Sequence, residues 1–445
     1  MIKATKAGIT RRRLMQVGLL AAGSAVSASV LPSKAPAQGG KGGSMAVWAG
    51  ASYNATADEA IGNVFKEWGR QNGVNVDYQV IAGTGTEYKN RYTAAIEAKQ
   101  PPEIAYMFEA DTQYYRAQDQ LQDLTDVVNG IKNLEGGIFE SALITMGFQG
   151  KYYGIPFVVN PWVMHVREDI LKQAGVPYPQ TWADVINISS KVSKPPQVYM
   201  LGQCLGRDYD SSNHFIPQMW CFGGTMQNNQ GALVFKGPGT LEAIKWVKEA
   251  YSKQVIPPGA TTWDSTGNNK AYQSRQCVIT YNPNSIYAYL EANDKDLTSK
   301  TGMYNAPGGP KGAFDGIDIR GFASFKGCKN PTAAREALSY FIQPKNYEKI
   351  IETGLNRWAP IYKNMMDRPL WDKPAYKNYK KIMTNGRFVA FSGPPNSAIG
   401  EVMDQFIISD MLVDVVSNNK DPEKAMNEAY DKMVAIYKKW KQPIA

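Results

Sequence analysis

From residue 45 onward, short apolar runs alternate with longer amphipathic stretches. Met45-Ala46-Val47-Trp48-Ala49-Gly50 reads as a short buried strand ending at a Gly turn. Residues 57–71 put Ile61, Val64, Phe65 and Trp68 on one helical face. Val74, Val76, Tyr78 and Val80 then alternate, which predicts a strand over 75–81. Residues 88–99 return to helical spacing, Pro101-Pro102 halts them, and residues 103–108 are strand-like. This β-α-β-α-β rhythm predicts an α/β protein with a mainly parallel sheet and helices on its faces. Ligands of such sheets gather at the carboxyl ends of strands. Here those ends are Ala49–Tyr53, Gly83–Thr86 and Glu109–Thr112.

The middle of the chain behaves differently. Residues 152–166 form a long extended, aromatic-rich run. Residues 169–175 predict a short helix, and Thr181 opens the next, with Asp184 placed as in a capping box. Leu241, Ile244, Val247 and Tyr251 predict an amphipathic helix over 240–253. A strand is expected over 276–281, ending at Asn282-Pro283-Asn284, and helices over 332–341 and 347–352. After Pro369 the pattern is mostly helical, with residues 386–396 as an extended interruption. The segment Asp208-Tyr209-Asp210-Ser211-Ser212-Asn213-His214 reads as a polar loop.

The formal net charge of +9 suggests a nucleic-acid or membrane partner until its distribution is seen. Residues 1–37 hold Lys3, Lys6, Arg11, Arg12, Arg13 and Lys34 and no acid, and setting these six aside lowers the charge from +9 to +3. No nucleic-acid partner is therefore expected. Thr10-Arg11-Arg12-Arg13-Leu14-Met15-Gln16 is a twin-arginine pattern, followed by a mildly apolar stretch and a small-x-small site at Ala35-Pro36-Ala37. That layout predicts a twin-arginine export signal over 1–37 and a flexible lead-in over 38–44. No Cys precedes Cys204, so no lipid anchor is expected at the cleavage point, and the protein is expected to be soluble and periplasmic. Cys204, Cys221, Cys277 and Cys328 allow three pairings or none, with Cys204–Cys221 the local candidate.

Catalytic chemistry is sparse. His165 and His214 are the two histidines, 49 residues apart, which argues against His-rich metal sites and His-based triads. His165 sits in an apolar run and reads as structural; His214, in the polar segment, is open to either a ligand contact or a structural role. No phosphate-binding, nucleophile-elbow, zinc or dinucleotide motif occurs, so no cofactor, no metal and no enzymatic activity are expected. Aromatic residues are plentiful: 10 Trp, 25 Tyr and 15 Phe. Sugar rings stack on such faces, and their hydroxyls need planar hydrogen-bonding side chains.

The chain resembles the extracellular solute-binding proteins of sugar-type ABC importers, the group that includes maltodextrin-binding protein. The resemblance rests on blocks in order: Pro102-Glu103-Ile104 to Leu121-Gln122-Asp123-Leu124-Thr125, Gly150-Lys151-Tyr152-Tyr153-Gly154-Ile155-Pro156, and Val166-Arg167-Glu168-Asp169-Ile170-Leu171. Pro179-Gln180-Thr181-Trp182, Phe222-Gly223-Gly224 and Ala306-Pro307-Gly308-Gly309 follow, and together the blocks span roughly residues 45–440. Departures at Val166, Asn282–Asn284 and Ile319-Arg320 fall at ligand-facing places and bear on ligand choice rather than fold.

The resemblance implies a two-lobed periplasmic-binding-protein fold with a ligand cleft between lobes. Lobe one would be 45–159 plus 321–355, and lobe two 162–318 plus 356–445, with crossings near Asn160–Trp162, Asp318–Gly321 and Leu355–Pro360. Aromatic candidates at strand ends or crossings are Tyr53, Trp162, Trp220, Trp263 and Trp358. Polar candidates are Glu109 and Asp111 after the third strand, Asn282 and Asn284 after a later one, and Asp318, Arg320 and Arg357 at the crossings. The implied function is capture of a small solute, a sugar or sugar acid, by a monomer that delivers it to a membrane permease. A polysaccharide lyase or hydrolase, or a binding protein for a polyamine or organic anion, are the alternatives.

Overall fold

The computed structural model describes residues 43–445 except Tyr53, Thr84, Glu109, Leu355 and Asn356. The expected export signal lies outside the described residues, as do the ligand candidates Tyr53 and Glu109.

β1 (Ser44–Gly50) leads into the helix Ala55–Asn72, whose ends are both closed locally. The Asn54 side chain accepts from the Ala57 N–H at 3.2 Å. Gly73 closes the other end at φ 69°, a conformation open to glycine at little cost. The buried face is the one the spacing predicts: Ile61, Val64, Phe65 and Trp68. β2 (Asn75–Ile81) and β3 (Ile104–Phe108) both pair in parallel with β1. A small hairpin of β4 (Gly147–Phe148) and β5 (Lys151–Tyr152) precedes β6 (Ile155–Pro161) and β7 (Val163–Arg167). The remaining strands are β8 (Tyr199–Gly202), β9 (Cys277–Asn282), β10 (Thr301–Tyr304), β11 (Ile317–Ala323) and β12 (Ala359–Pro360).

Two larger sheets result. One runs β12-β6-β11-β3-β1-β2 and the other β10-β7-β9-β8. The α/β layering is as expected, but the pairing is mixed rather than mainly parallel. Only β1–β2, β1–β3 and β8–β9 run parallel; β6, β7, β10, β11 and β12 join antiparallel. The physical reason is that β6 and β11 run to and from the neighbouring sheet and do not return through helical crossovers. Each sheet has its own apolar core, one built around Phe65, Phe157, Phe322 and Phe341, the other around Met164, Phe215, Ile244 and Ile279.

The chain passes between the cores at three places. These are Trp162, residues 305–316, and residues 386–396. The three strips touch: Trp162 N donates to Gly316 O, Ile317 N to Arg387 O, and Arg387 N to Asp315 O, each at 2.9 Å. Gly316 suits this crowded point because a Cβ there would come within 3.0 Å of the Pro217 ring. Residues 357–383, expected with the second lobe, pack in the first core through Trp358, Tyr362, Met365, Trp371, Tyr379 and Met383. The apolar spacing of this segment marks burial but not which core receives it, so the last passage falls at 386–396 and not at Leu355–Pro360.

The segment expected as a polar loop is instead the start of the helix Tyr209–Phe222. Asp208 caps it by accepting from the Asp210 N–H at 2.9 Å. Several of its polar side chains face inward, Ser211, Ser212 and His214 among them. Ser211 donates to the Gly206 carbonyl, and His214 Nδ1 accepts from the Cys204 N–H at 2.9 Å. Inward polar groups and Pro217 within the helix disguise it as a loop. The expected capping box is present: Asp184 N donates to Thr181 Oγ1 at 3.1 Å and Thr181 N to Asp184 Oδ2 at 2.9 Å.

All four cysteines are buried free thiols. Burial pushes the Cys221 thiol up to about 11 and Cys277 up to about 12. An aromatic disulfide reagent should therefore modify none of them in the native protein and all four in denaturant. Finding only two reactive thiols after unfolding would reveal a disulfide instead. Among the described residues no helix is long and apolar enough to cross a membrane.

Candidate functional site

Between the two sheets lies a cavity of ≈340 Å³. That is at the lower end of the range for small-molecule sites. It opens where β3, β6 and β9 reach their carboxyl ends. The first sheet contributes Tyr106 and Phe108 from β3, Asn160 from β6, and Asp318 and Arg320 from β11. Arg357 and Trp358, just before β12, complete that wall. The facing wall holds Trp162, Tyr209, Asp210, Asn213, Lys270, Asn282 and Tyr289.

The polar groups of the first wall hold each other in place. Asp318 accepts from Asn160 Nδ2 at 2.9 Å and from Arg320 Nη2 at 2.7 Å. The Arg320 guanidinium lies 3.7 Å from the centre of the Phe108 ring, a cation–π placement. Arg357 Nε donates to the Ser52 carbonyl at 2.8 Å. Burial lowers the Arg357 pKa, but a guanidinium stays protonated. On the other wall, Asn282 donates to Ser285 Oγ at 2.8 Å and accepts from Asn268 Nδ2 at 3.0 Å. Burial, then Asp208 and Asp318, raise the Asp210 pKa well above the usual carboxylate range. Trp162 is 3% exposed and packs edge-on against His214, with ring centres 5.5 Å apart. Such planar amides, charged forks and flat rings can bind a ring bearing several hydroxyls.

Six of the candidates named from sequence meet in this cavity: Trp162, Asn282, Asp318, Arg320, Arg357 and Trp358. Four do not. Trp220 sits in the second core against Phe391, with centroids 5.4 Å apart. Trp263 packs on the same core, its carbonyl accepting from the Cys204 thiol at 3.3 Å. Asn284 donates to the Tyr376 hydroxyl at 3.3 Å. Asp111 is not part of the cavity lining and pairs with Lys89 at 3.0 Å. Sequence reasoning missed Tyr106, Phe108, Asn160, Tyr209, Asp210 and Lys270. Phe108 and Asn160 did carry a signal, since they close a predicted strand and open a predicted crossing. Both histidines lie outside the cavity lining. Burial lowers His165 to about 4 and His214 to about 3, which keeps both rings neutral at physiological pH.

Beside the cavity, a buried ionic cluster joins the two cores. Lys89, from the helix Gly85–Glu97, contacts Asp111 on one side and Asp404 on the other. Tyr209 donates its hydroxyl to the same Asp404. Burial opposes the Lys89 charge, yet Asp111 and Asp404 outweigh it and raise its pKa.

A family model described as "Bacterial extracellular solute-binding protein" matches residues 63–384, most of the chain. The chain belongs to this family. A binding protein of Brucella abortus (strain 2308) is 21% identical over 324 residues, covering 72% of this chain and 76% of that one. Among solved structures, this solute-binding protein is similar to maltose-bound MalE3 of T. maritima, with a TM-score of 0.75, 16% identity and coverage of 88% of this chain and 100% of that one. A sugar transporter component from Arthrobacter chlorophenolicus A6 with bound laminaribiose gives a TM-score of 0.77 at 16% identity, covering 88% and 99%. A solute-binding protein of Agrobacterium radiobacter K84 in complex with ribitol gives 0.76 at 19%, covering 89% and 99%. The two sheets and the cavity between them are thus the two-lobed fold of these proteins.

Proposed function

We propose that this solute-binding protein captures a small carbohydrate in the cleft and delivers it to the membrane permease of an ABC importer. The cavity between the two sheets carries this reading. It sets the rings of Trp162, Trp358, Tyr106 and Tyr209 among the planar polar groups of Asn160, Asn282, Asp318 and Arg320. Maltose, laminaribiose and ribitol in structures of the same fold support a carbohydrate. The lobes are 43–159 plus 317–383 and 162–316 plus 389–445, with the touching strips at Trp162, Gly316 and Arg387 as hinge. The monomer works outside the cytoplasmic membrane after twin-arginine export: the extracellular family supports export, and the Arg11-Arg12-Arg13 pattern supports that route. Capture is its task, and turnover is not.

The test is a panel of sugars, sugar acids and polyols read by thermal unfolding and small-angle scattering. At one hundred times its dissociation constant, a true ligand should add about 2.7 kcal/mol of stability, and the radius of gyration should fall as the lobes close. A panel in which no member changes either quantity contradicts the reading.

A further inference from the structure

Among the described residues, the two arginines of the first wall differ in their partners. Asp318 is matched by Arg320 at 2.7 Å. Arg357 has no such partner: among the described residues no carboxylate lies within ion-pair distance of it, and its one hydrogen bond runs from Nε to the Ser52 carbonyl. Its Nη1 is shut off from solvent and donates to nothing. A buried donor without an acceptor is costly. Asp210, the other described acid of the lining, forms no ion pair with Arg357, and burial together with Asp208 and Asp318 raises its pKa.

We propose that the ligand is a sugar acid whose carboxylate is received by the guanidinium of Arg357, while the ring lies among the aromatic and amide side chains. This rests on the carbohydrate reading above and narrows it. A guanidinium offers parallel N–H donors that match the two oxygens of a carboxylate. A phosphate dianion fits less well, because it brings three acceptor oxygens and a second charge next to Asp318. A neutral sugar would leave Nη1 as it is in the free protein, buried and unmatched. Sites built to meet one polar group reject analogues that lack it far more strongly than sites built on apolar fit.

Calorimetric titration of the full chain with D-galacturonate and D-glucuronate, with D-galactose and D-glucose, and with D-glucose 6-phosphate tests this. At least one uronate should bind about 100-fold or more tightly than its neutral counterpart. Arg357→Met should abolish that preference, bringing acid and neutral sugar to within about threefold, while Arg357→Lys, which keeps the charge and loses the fork, should retain part of it. Equal binding of acid and neutral sugars overturns the inference and leaves the carbohydrate reading standing. Preference for the phosphate overturns the carboxylate assignment. Binding of none of these sugars overturns the inference, and the wider panel above then decides the carbohydrate reading. If Arg357→Met does not fold, the wild-type comparison and Arg357→Lys still decide the matter.

Discussion

Replacing Lys89 with methionine is expected to cost about 3–5 kcal/mol of unfolding free energy, the range found when one partner of a buried ion pair is removed. Lys89 is 7% exposed and lies between Asp111 and Asp404, which are themselves enclosed. Without the ammonium, two carboxylates and the Tyr209 hydroxyl share a volume that excludes water. Burial already raises the Asp404 pKa, with Lys89 the main force holding it down. The loss should appear as a lower urea midpoint with little change in slope. A triple variant, Lys89→Met with Asp111→Asn and Asp404→Asn, removes the stranded charges and should recover much of the stability. A single variant within about 1 kcal/mol of wild type would mean that the cluster is solvated in solution.

The second large effect is on binding. Trp162→Ala should weaken ligand affinity by at least about 30-fold, the equivalent of a hot-spot loss of about 2 kcal/mol. Trp162 stands where the chain passes from β6 to β7, so its ring forms cavity wall while its N–H bonds the Gly316 carbonyl. It also packs against Tyr281, with centroids 5.5 Å apart. Trp162→Phe keeps a flat face and should bind within about fivefold of wild type. The readout is titration with whichever sugar the wild type binds, on variants shown by circular dichroism to be folded. Folded Trp162→Ala with wild-type affinity would remove this ring from the site.

Much of the fold was written in local periodicity. The alternation at Val74, Val76, Tyr78 and Val80 yields β2 at Asn75–Ile81, and the stripe Ile61, Val64, Phe65, Trp68 yields the first helix. What local pattern does not carry is partner choice. The antiparallel insertion of β11 between β6 and β3 depends on pairs from 156 residues apart (Ile317 with Pro161) to 218 apart (Ala323 with Ala105). Residues 358–383 announce burial by their aromatics, but either core could have taken them. The helix Tyr209–Phe222 was hidden because its polar residues face inward, against the usual sense of amphipathicity.

The site divides along the same line. Trp162, Asn282, Asp318, Arg320, Arg357 and Trp358 line the cavity because backbone position alone brings crossings and strand ends there. Trp220 was misplaced because which face of the helix Tyr209–Phe222 meets the cleft follows from packing on Phe391, distant in sequence. Lys89 gave no signal. In sequence it is one charge in an amphipathic helix, and only Asp404, 315 residues on, makes it a buried bridge.

The most direct test of capture without chemistry is native mass spectrometry of the protein incubated with a sugar it binds. The account predicts one ligand of unchanged mass per chain, stable for hours and released intact on activation. A ligand converted to a smaller or unsaturated product would contradict it.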